Sequence, residues 1–318
     1  MEMKSIVRAI FAMTFLVFLV MACKPFGEPE RIKAIGSTAD LPETLQRAFN
    51  PGNDFSPMES PKPGDWLAEH KEPGQTFSNF TASQYNRPDN IRKKIYLHPL
   101  GTFAKDNSPS MDILRDYARV YFAMDVEVLS AIPLRDELFT PRINHFTKKR
   151  QILTIDVLNY LRTRLPSDAF CVLVVTMEDL YPEPTWNFVF GQASLTERTG
   201  VYSFARYDPA FYGELRKSDY GNIILKRSCR ILAHETGHMF GLQHCIFFRC
   251  ILNGSNHLKE SDSRPLHLCP VCLRKLQYSI GFDIVKRYQG LNEFYRKNDF
   301  NEETPWVEKR LKYIAGTI

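Results

Sequence analysis

The order of patterned segments predicts an α/β (α+β) protein: a mixed twisted sheet, one long helix carrying chemistry, and a small C-terminal helical subdomain tied by metal. Three observations lead there. KKIYLHPLG alternates as a strand does, MDILRDYARVYFAMD repeats apolar residues at helical spacing, and DVEVLSAIPL reads as a second strand, giving β-α-β. AFCVLVVTMEDL, from Ala169, opens with an unbroken apolar run, the pattern of a parallel strand covered on both faces. HETGHMFGLQHC, from His234 to Cys245, sets metal-ligating residue types at helical spacing.

Composition is that of a folded globular chain, with 44% hydrophobic and 24% charged residues among 318. The net charge of +5 is modest and its basic residues are dispersed, so no nucleic-acid partner is expected. KKR at 148–150 reads as a solvated turn.

Residues 1–23 read as a signal. Lys4 and Arg8 precede an apolar run from Ala9 to Cys23, broken only by Thr14. The run falls short of the roughly 20 apolar residues that a spanning helix needs. Val20-Met21-Ala22-Cys23 resembles a lipoprotein box with Cys23 as the lipidated residue, so export as an anchored lipoprotein or a secreted protein is expected. An uncleaved anchor or a cytoplasmic protein is the alternative. Residues 24–90, rich in Pro, Gly, Asn and Ser, predict a linker or loosely packed extension with short helices at 41–49 and 64–70. This stretch contains no cysteine that could latch onto a metal.

The domain proper is expected over 91–318. Its first strand runs from Lys94 to Pro99, and Ile113, Leu114, Tyr117, Val120 and Tyr121 mark the buried face of the helix that follows. A further helix is predicted from Ile152 to Leu165. Glu178 and Asp179 close the apolar strand, where loop-end solvation or capping is expected. WNFVFGQAS and GVYSFARY predict two strands, with Trp186, Phe188 and Phe190 taken as core residues. A helix then begins near Leu225.

On that helix, His234 and His238 are four residues apart and can turn their imidazoles to a common ion. Glu235 lies beside them, able to reach a metal-bound water without occupying a coordination position. His244 is too far along to share that face by simple continuation. Gly241, free to adopt positive φ, can end the helix and return His244 to the metal. Three imidazoles leave one coordination position open, and zinc held this way lowers the pKa of its water to about 7.

A second metal site is read from Cys245-x4-Cys250 and Cys269-x2-Cys272, two close pairs joined by a loop in the manner of a zinc ribbon. A disulfide pair or free core thiols are the other readings. LRKLQYSIGFDIVKRY, after the second pair, has an amphipathic helical pattern, so a closed site would tie the catalytic helix to the C-terminal one. Cys171 and Cys229 read as buried thiols, and His257 and His267, between the cysteine pairs, as solvent-facing.

HETGHMFGLQHC, CILNGSNHLKESDSRPLHLCPVCLRKLQ, WNFVFGQASL and GVYSFARY together resemble the archaemetzincins, a family of metzincin-like zinc peptidases, over about residues 90 to 290. The resemblance implies a metzincin-like fold, catalytic zinc on His234, His238 and His244, Glu235 as base, and a second zinc on Cys245, Cys250, Cys269 and Cys272. It departs at Leu252, where the family usually has methionine; Leu is nearly isosteric and can keep a packing role beneath the metal. In that family the two strands before the helix form an edge beside the cleft, which could hold an extended peptide by β-augmentation. The expectation is therefore a metallopeptidase with two zinc ions per chain, acting on peptide or protein substrates, with a hint of aminopeptidase-like action on short peptides. A zinc-stabilised peptide-binding protein with weak or no turnover is the alternative, and a scaffold or nucleic-acid module built on the cysteines is a third reading.

Overall fold

Strand β5, Ala169–Thr176, is buried at all eight positions and lies at the centre of the architecture. Its alternate side chains feed two different cores: Cys171, Leu173 and Val175 join one cluster, Val172 and Val174 the other. That explains the unbroken apolar run, since a strand covered on both faces has no solvent side to mark with polar residues. The structure is a computed structural model and describes residues 26–316 except Asp106 and Leu195. The signal and lipoprotein segment, 1–23, lies outside the described residues.

Among the described residues, four helices precede the sheet: α1 (Glu28–Ile35), α2 (Glu43–Phe49), α3 (Trp66–Glu69) and α4 (Phe77–Ala82). The main sheet then forms from β1 (Lys94–Leu100), β2 (Asp125–Val128), β5, β7 (Gly191–Ala193) and β8 (Thr199–Ser203), in the order β2-β1-β5-β8-β7. Its pairings are parallel except for the edge strand β7, which runs antiparallel to β8. Helix α5 (Met111–Phe122) connects β1 to β2 and begins with the Ser110 hydroxyl accepting from the Ile113 N–H. A smaller sheet, β3 (Pro141–Ile143), β4 (Arg150–Leu153) and β6 (Asp179–Tyr181), and helix α6 (Thr154–Arg162) complete this half. The long helix α7 (Tyr220–Met239) is followed by α8 (Leu258–Asp262), α9 (Pro270–Ile280), α10 (Ile284–Lys297) and α11 (Glu303–Ala315). Among the described residues no helix is long and apolar enough to cross a membrane.

Several expectations change. The extension at 24–90 is no loose linker: Ala34, Ile35, Ala48, Phe49, Phe55 and Phe80 are buried in the main core. Arg310, only 1% exposed, donates to the carbonyls of Arg47, Ala48 and Asn50 at the end of α2, and Arg274 donates to those of Ile35 and Ser37 after α1. Arg310 thereby satisfies helix-end carbonyls of α2, which ends at Asn50 without a glycine cap. The C-terminal helices share the same core through Leu273, Leu276, Tyr288, Phe294 and Ile314. Ile152 belongs to β4 rather than to the helix, which starts at Thr154. Asp179 is buried, not solvated: Arg206 clasps it with two bonds of 2.7 and 2.8 Å, and the Gln151 amide adds a third at 2.8 Å. Lys148 and Lys149 are exposed in the turn between β3 and β4.

Candidate metal centre

The histidines that the sequence marks as candidate metal ligands converge where α7 stops. After Met239 the chain turns at Gly241, whose φ is +78°, and the N–H groups of Gly241 and Leu242 close on the carbonyls of His238 and Gly237. A β-carbon at Gly241 would also meet the Tyr85 β-carbon at 2.5 Å, so both conformation and space exclude a side chain there. The turn brings His244 back beside His234 and His238, its ring centroid 5.2 and 5.0 Å from theirs.

Each imidazole is held by an oxygen at Nδ1. His234 donates to the Ile251 carbonyl at 2.9 Å, His238 to the Leu242 carbonyl at 2.6 Å, and His244 to the Glu72 carboxylate at 2.7 Å. These oxygens only accept, so each Nδ1 carries a proton, and a ring in its neutral form keeps Nε2 bare. Burial holds His234 well below the ordinary imidazole range and His238 down at about 4, which keeps both neutral at pH 7. The Nε2 atoms of His234 and His238 are 3.1 Å apart. Two unprotonated lone pairs at that distance repel unless a cation lies between them. The spacing is close to the edge of about 3.3 Å that a tetrahedral zinc with nitrogen at roughly 2.0–2.1 Å requires. Glu72 Oε2, buried without a hydrogen-bond donor, adds an anionic oxygen next to this group that a cation would compensate. The residues present therefore fit a zinc ion.

Glu235 is 7% exposed, and burial pushes its carboxyl up to about 8. It faces the edge strand: a β-carbon at Gly191 would lie 3.0 Å from the Glu235 carboxyl. Leu252 is fully buried under the same turn of α7, its δ-carbon 2.8 Å from where a β-carbon of Gly237 would stand. Glycine at 237 thus makes room for the residue at the methionine position.

The four cysteines also converge. Cys245, Cys250, Cys269 and Cys272 are buried, with their sulfurs within 4.8 Å of one another. Cys245 Sγ and Cys269 Sγ are 3.5 Å apart, far beyond the ~2.05 Å of a disulfide and near the edge of about 3.8 Å for four thiolates around zinc. Hydrogen bonds from the other three thiols drive the Cys245 thiol well below its usual range. The Cys269 N–H donates to Cys250 Sγ at 3.3 Å, and Asn253 fastens the loop by donating to the Cys245 and Phe248 carbonyls at 2.6 and 2.9 Å. Cys171 and Cys229 are buried elsewhere in the core.

Trp186 and Phe188 do not belong to a core, whereas the half-buried Phe190 packs against the main cluster and stacks on Tyr207. Only Gly191–Ala193 of WNFVFGQAS forms a strand, and the aromatics line a cleft of about 450 Å³ over the histidines, with Trp186 46% exposed. Arg142 pins this wall by donating to the carbonyls of Pro184, Trp186 and Asn187. His267 is not solvent-facing; it stacks on Trp306 with ring centroids 3.7 Å apart. His257 is exposed and pairs with Asp65 at 3.3 Å. The residues that sequence reasoning missed are Glu72 and Trp66, both in the supposed linker and both at the cleft. A tryptophan and an acid in a Pro-rich stretch were the sole hint.

The model of "Peptidase family M54" matches residues 143–278. Archaemetzincin-2 of Macaca fascicularis is 40% identical over 275 residues, covering 78% of this chain and 76% of that protein. The Homo sapiens Archaemetzincin-2 is 39% identical over 289 residues, with 82% and 80% covered. The solved archaemetzincin of Methanopyrus kandleri is similar at 28% identity and a TM-score of 0.47, over 60% of this chain and 97% of that one.

Proposed function

The chain belongs to the archaemetzincins, peptidase family M54, and is a zinc metallopeptidase; from that premise we propose that it cleaves peptide bonds at a zinc ion held by His234, His238 and His244. The observation that carries this is the convergence of three imidazoles, each with Nδ1 anchored on an oxygen, beside the Glu235 carboxyl. Zinc bound there supplies Lewis acidity towards the scissile carbonyl and towards water in the open position. A second zinc, on Cys245, Cys250, Cys269 and Cys272, is closed by four ligands and serves structure alone.

Glu235 does the proton work. Burial alone would leave its carboxyl protonated near neutral pH, but a divalent cation beside it favours the carboxylate, the form that accepts a proton. It takes the proton of the attacking water and delivers it to the leaving amine nitrogen. Strand β7 pairs with β8 along one side only, and Gly191, Gln192 and Ala193 line the cleft. Its outer edge can add a peptide in extended form, with the carbonyl to be cleaved brought to the imidazoles. Gly191 matters here, because a side chain would press on both Tyr202 and Glu235.

Cleavage of a mixed peptide library by wild type and Glu235→Gln, both assayed for zinc, tests the proposal. Hydrolysis should fall by about 10²–10⁴ in the variant with zinc content unchanged. Equal hydrolysis would remove Glu235 from the mechanism, and none in either protein would favour a peptide-binding role. Aminopeptidase-like action, which the family resemblance suggests, predicts single residues released from peptide N-termini; internal fragments would contradict it.

A further inference from the structure

The segment from Gly64 to Gln75 borders the cleft at Trp66 and reaches the third imidazole at Glu72. Glu72 Oε1 accepts from His244 Nδ1 at 2.7 Å and from the Trp66 indole N–H at 2.8 Å. Trp66 stands edge-on to His244, ring centroids 5.1 Å apart. Both flanks of Glu72 are anchored. On one side, the Trp66 backbone N–H donates to the Glu260 carboxylate at 3.1 Å, and Gly254 closes so tightly that a β-carbon there would lie 2.5 Å from the indole. On the other, the Gln75 amide donates to the Gly241 carbonyl at 3.0 Å and accepts from the Gln243 N–H at 3.2 Å, while Lys275 donates to Gln75. The strap thus grips the very turn that carries His244.

The three imidazoles are not oriented alike. His234 and His238 use backbone carbonyls from the loop that follows their own helix. His244, on that loop rather than on the helix, depends on a side chain 172 residues earlier. A carboxylate at Nδ1 fixes the tautomer and ring orientation of a ligating histidine and raises its basicity.

We propose that Glu72 is the positioning residue for the third zinc ligand, so that the N-terminal strap completes the metal centre; this rests on the zinc reading of the histidines given above. Trp66 acts through Glu72 by donating to its carboxylate, and Gln75 holds the turn that carries His244.

The test is a chelator titration of the zinc-loaded full chain, following zinc released per chain from wild type, Glu72→Ala and Glu72→Gln. Glu72→Ala should lose one zinc at a chelator concentration about 10–100-fold lower than wild type while keeping the other. Glu72→Gln, which retains an acceptor of the same shape, should lie between the two, and it carries the test if the alanine variant folds poorly. A merely structural role would release both ions together with no rescue by glutamine, and either that result or wild-type retention in both variants overturns the proposal. Wild type lacking zinc at the histidines overturns the underlying reading as well; wild type holding it there, with unaltered variants, overturns the role of Glu72 alone.

Discussion

Gly241 decides whether His244 can reach the other two histidines. Its φ of +78° is left-handed, and Tyr85 fills the space a side chain would need. Gly241→Ala should therefore cost roughly 1–3 kcal/mol in backbone strain, plus whatever Tyr85 must yield. More telling than a lower melting temperature would be loss of one zinc per chain, because the strain falls on the turn between ligands; retention of two ions would contradict this role. At this scale much of the site was legible. The spacing from His234 to His244 encodes a helix, a break and a return, and glycine is the residue that permits the break. Glu72 was not legible, since its bond to His244 joins positions 172 apart and no local period records such a contact.

Among the elements, β5 was the easiest to read and the short strands the hardest. Strands β3 and β6 have three residues each and β4 four, too few to display a period of two. WNFVF alternates as a strand would, yet Arg142 and Asn144 draw its carbonyls away from strand pairing and turn it into a cleft wall. Tertiary hydrogen bonding has overridden local pattern there. The loop from Cys245 to Cys272 is held by polar contacts and converging thiols, with α9 starting directly from Cys269. Cys269→Ser should thus release one zinc and leave the histidine site loaded. Loss of a structural metal ranks with the largest single-residue effects, above about 4 kcal/mol. That corresponds to a fall in Tm of roughly 10 °C for a chain of this size. An unchanged Tm and zinc content would show that the cysteines are ordinary core thiols.

The four helices within residues 28–82 pack around the segments that carry the histidine and cysteine clusters. Helices α1, α2 and α4 pack on α9, and α2 also packs on α11, so the extension closes over the C-terminal helices while its strap reaches His244 through Glu72. The extension was misread as a linker because its buried residues, such as Phe49, Phe55 and Phe80, are spaced too sparsely for any helix of its own to look amphipathic. They are buried against surfaces supplied by distant segments. What unifies the fold is the adjacency of two side-chain clusters of different character: three imidazoles from the end of α7 and the turn after it, and four cysteines that begin with the next residue, Cys245, and end in α9. Anomalous diffraction at the zinc edge from crystals of the purified chain tests that claim most directly. Two peaks are expected, one equidistant from Nε2 of His234, His238 and His244 and one within the four cysteine sulfurs; absence of density between the imidazoles in a zinc-replete crystal would contradict it.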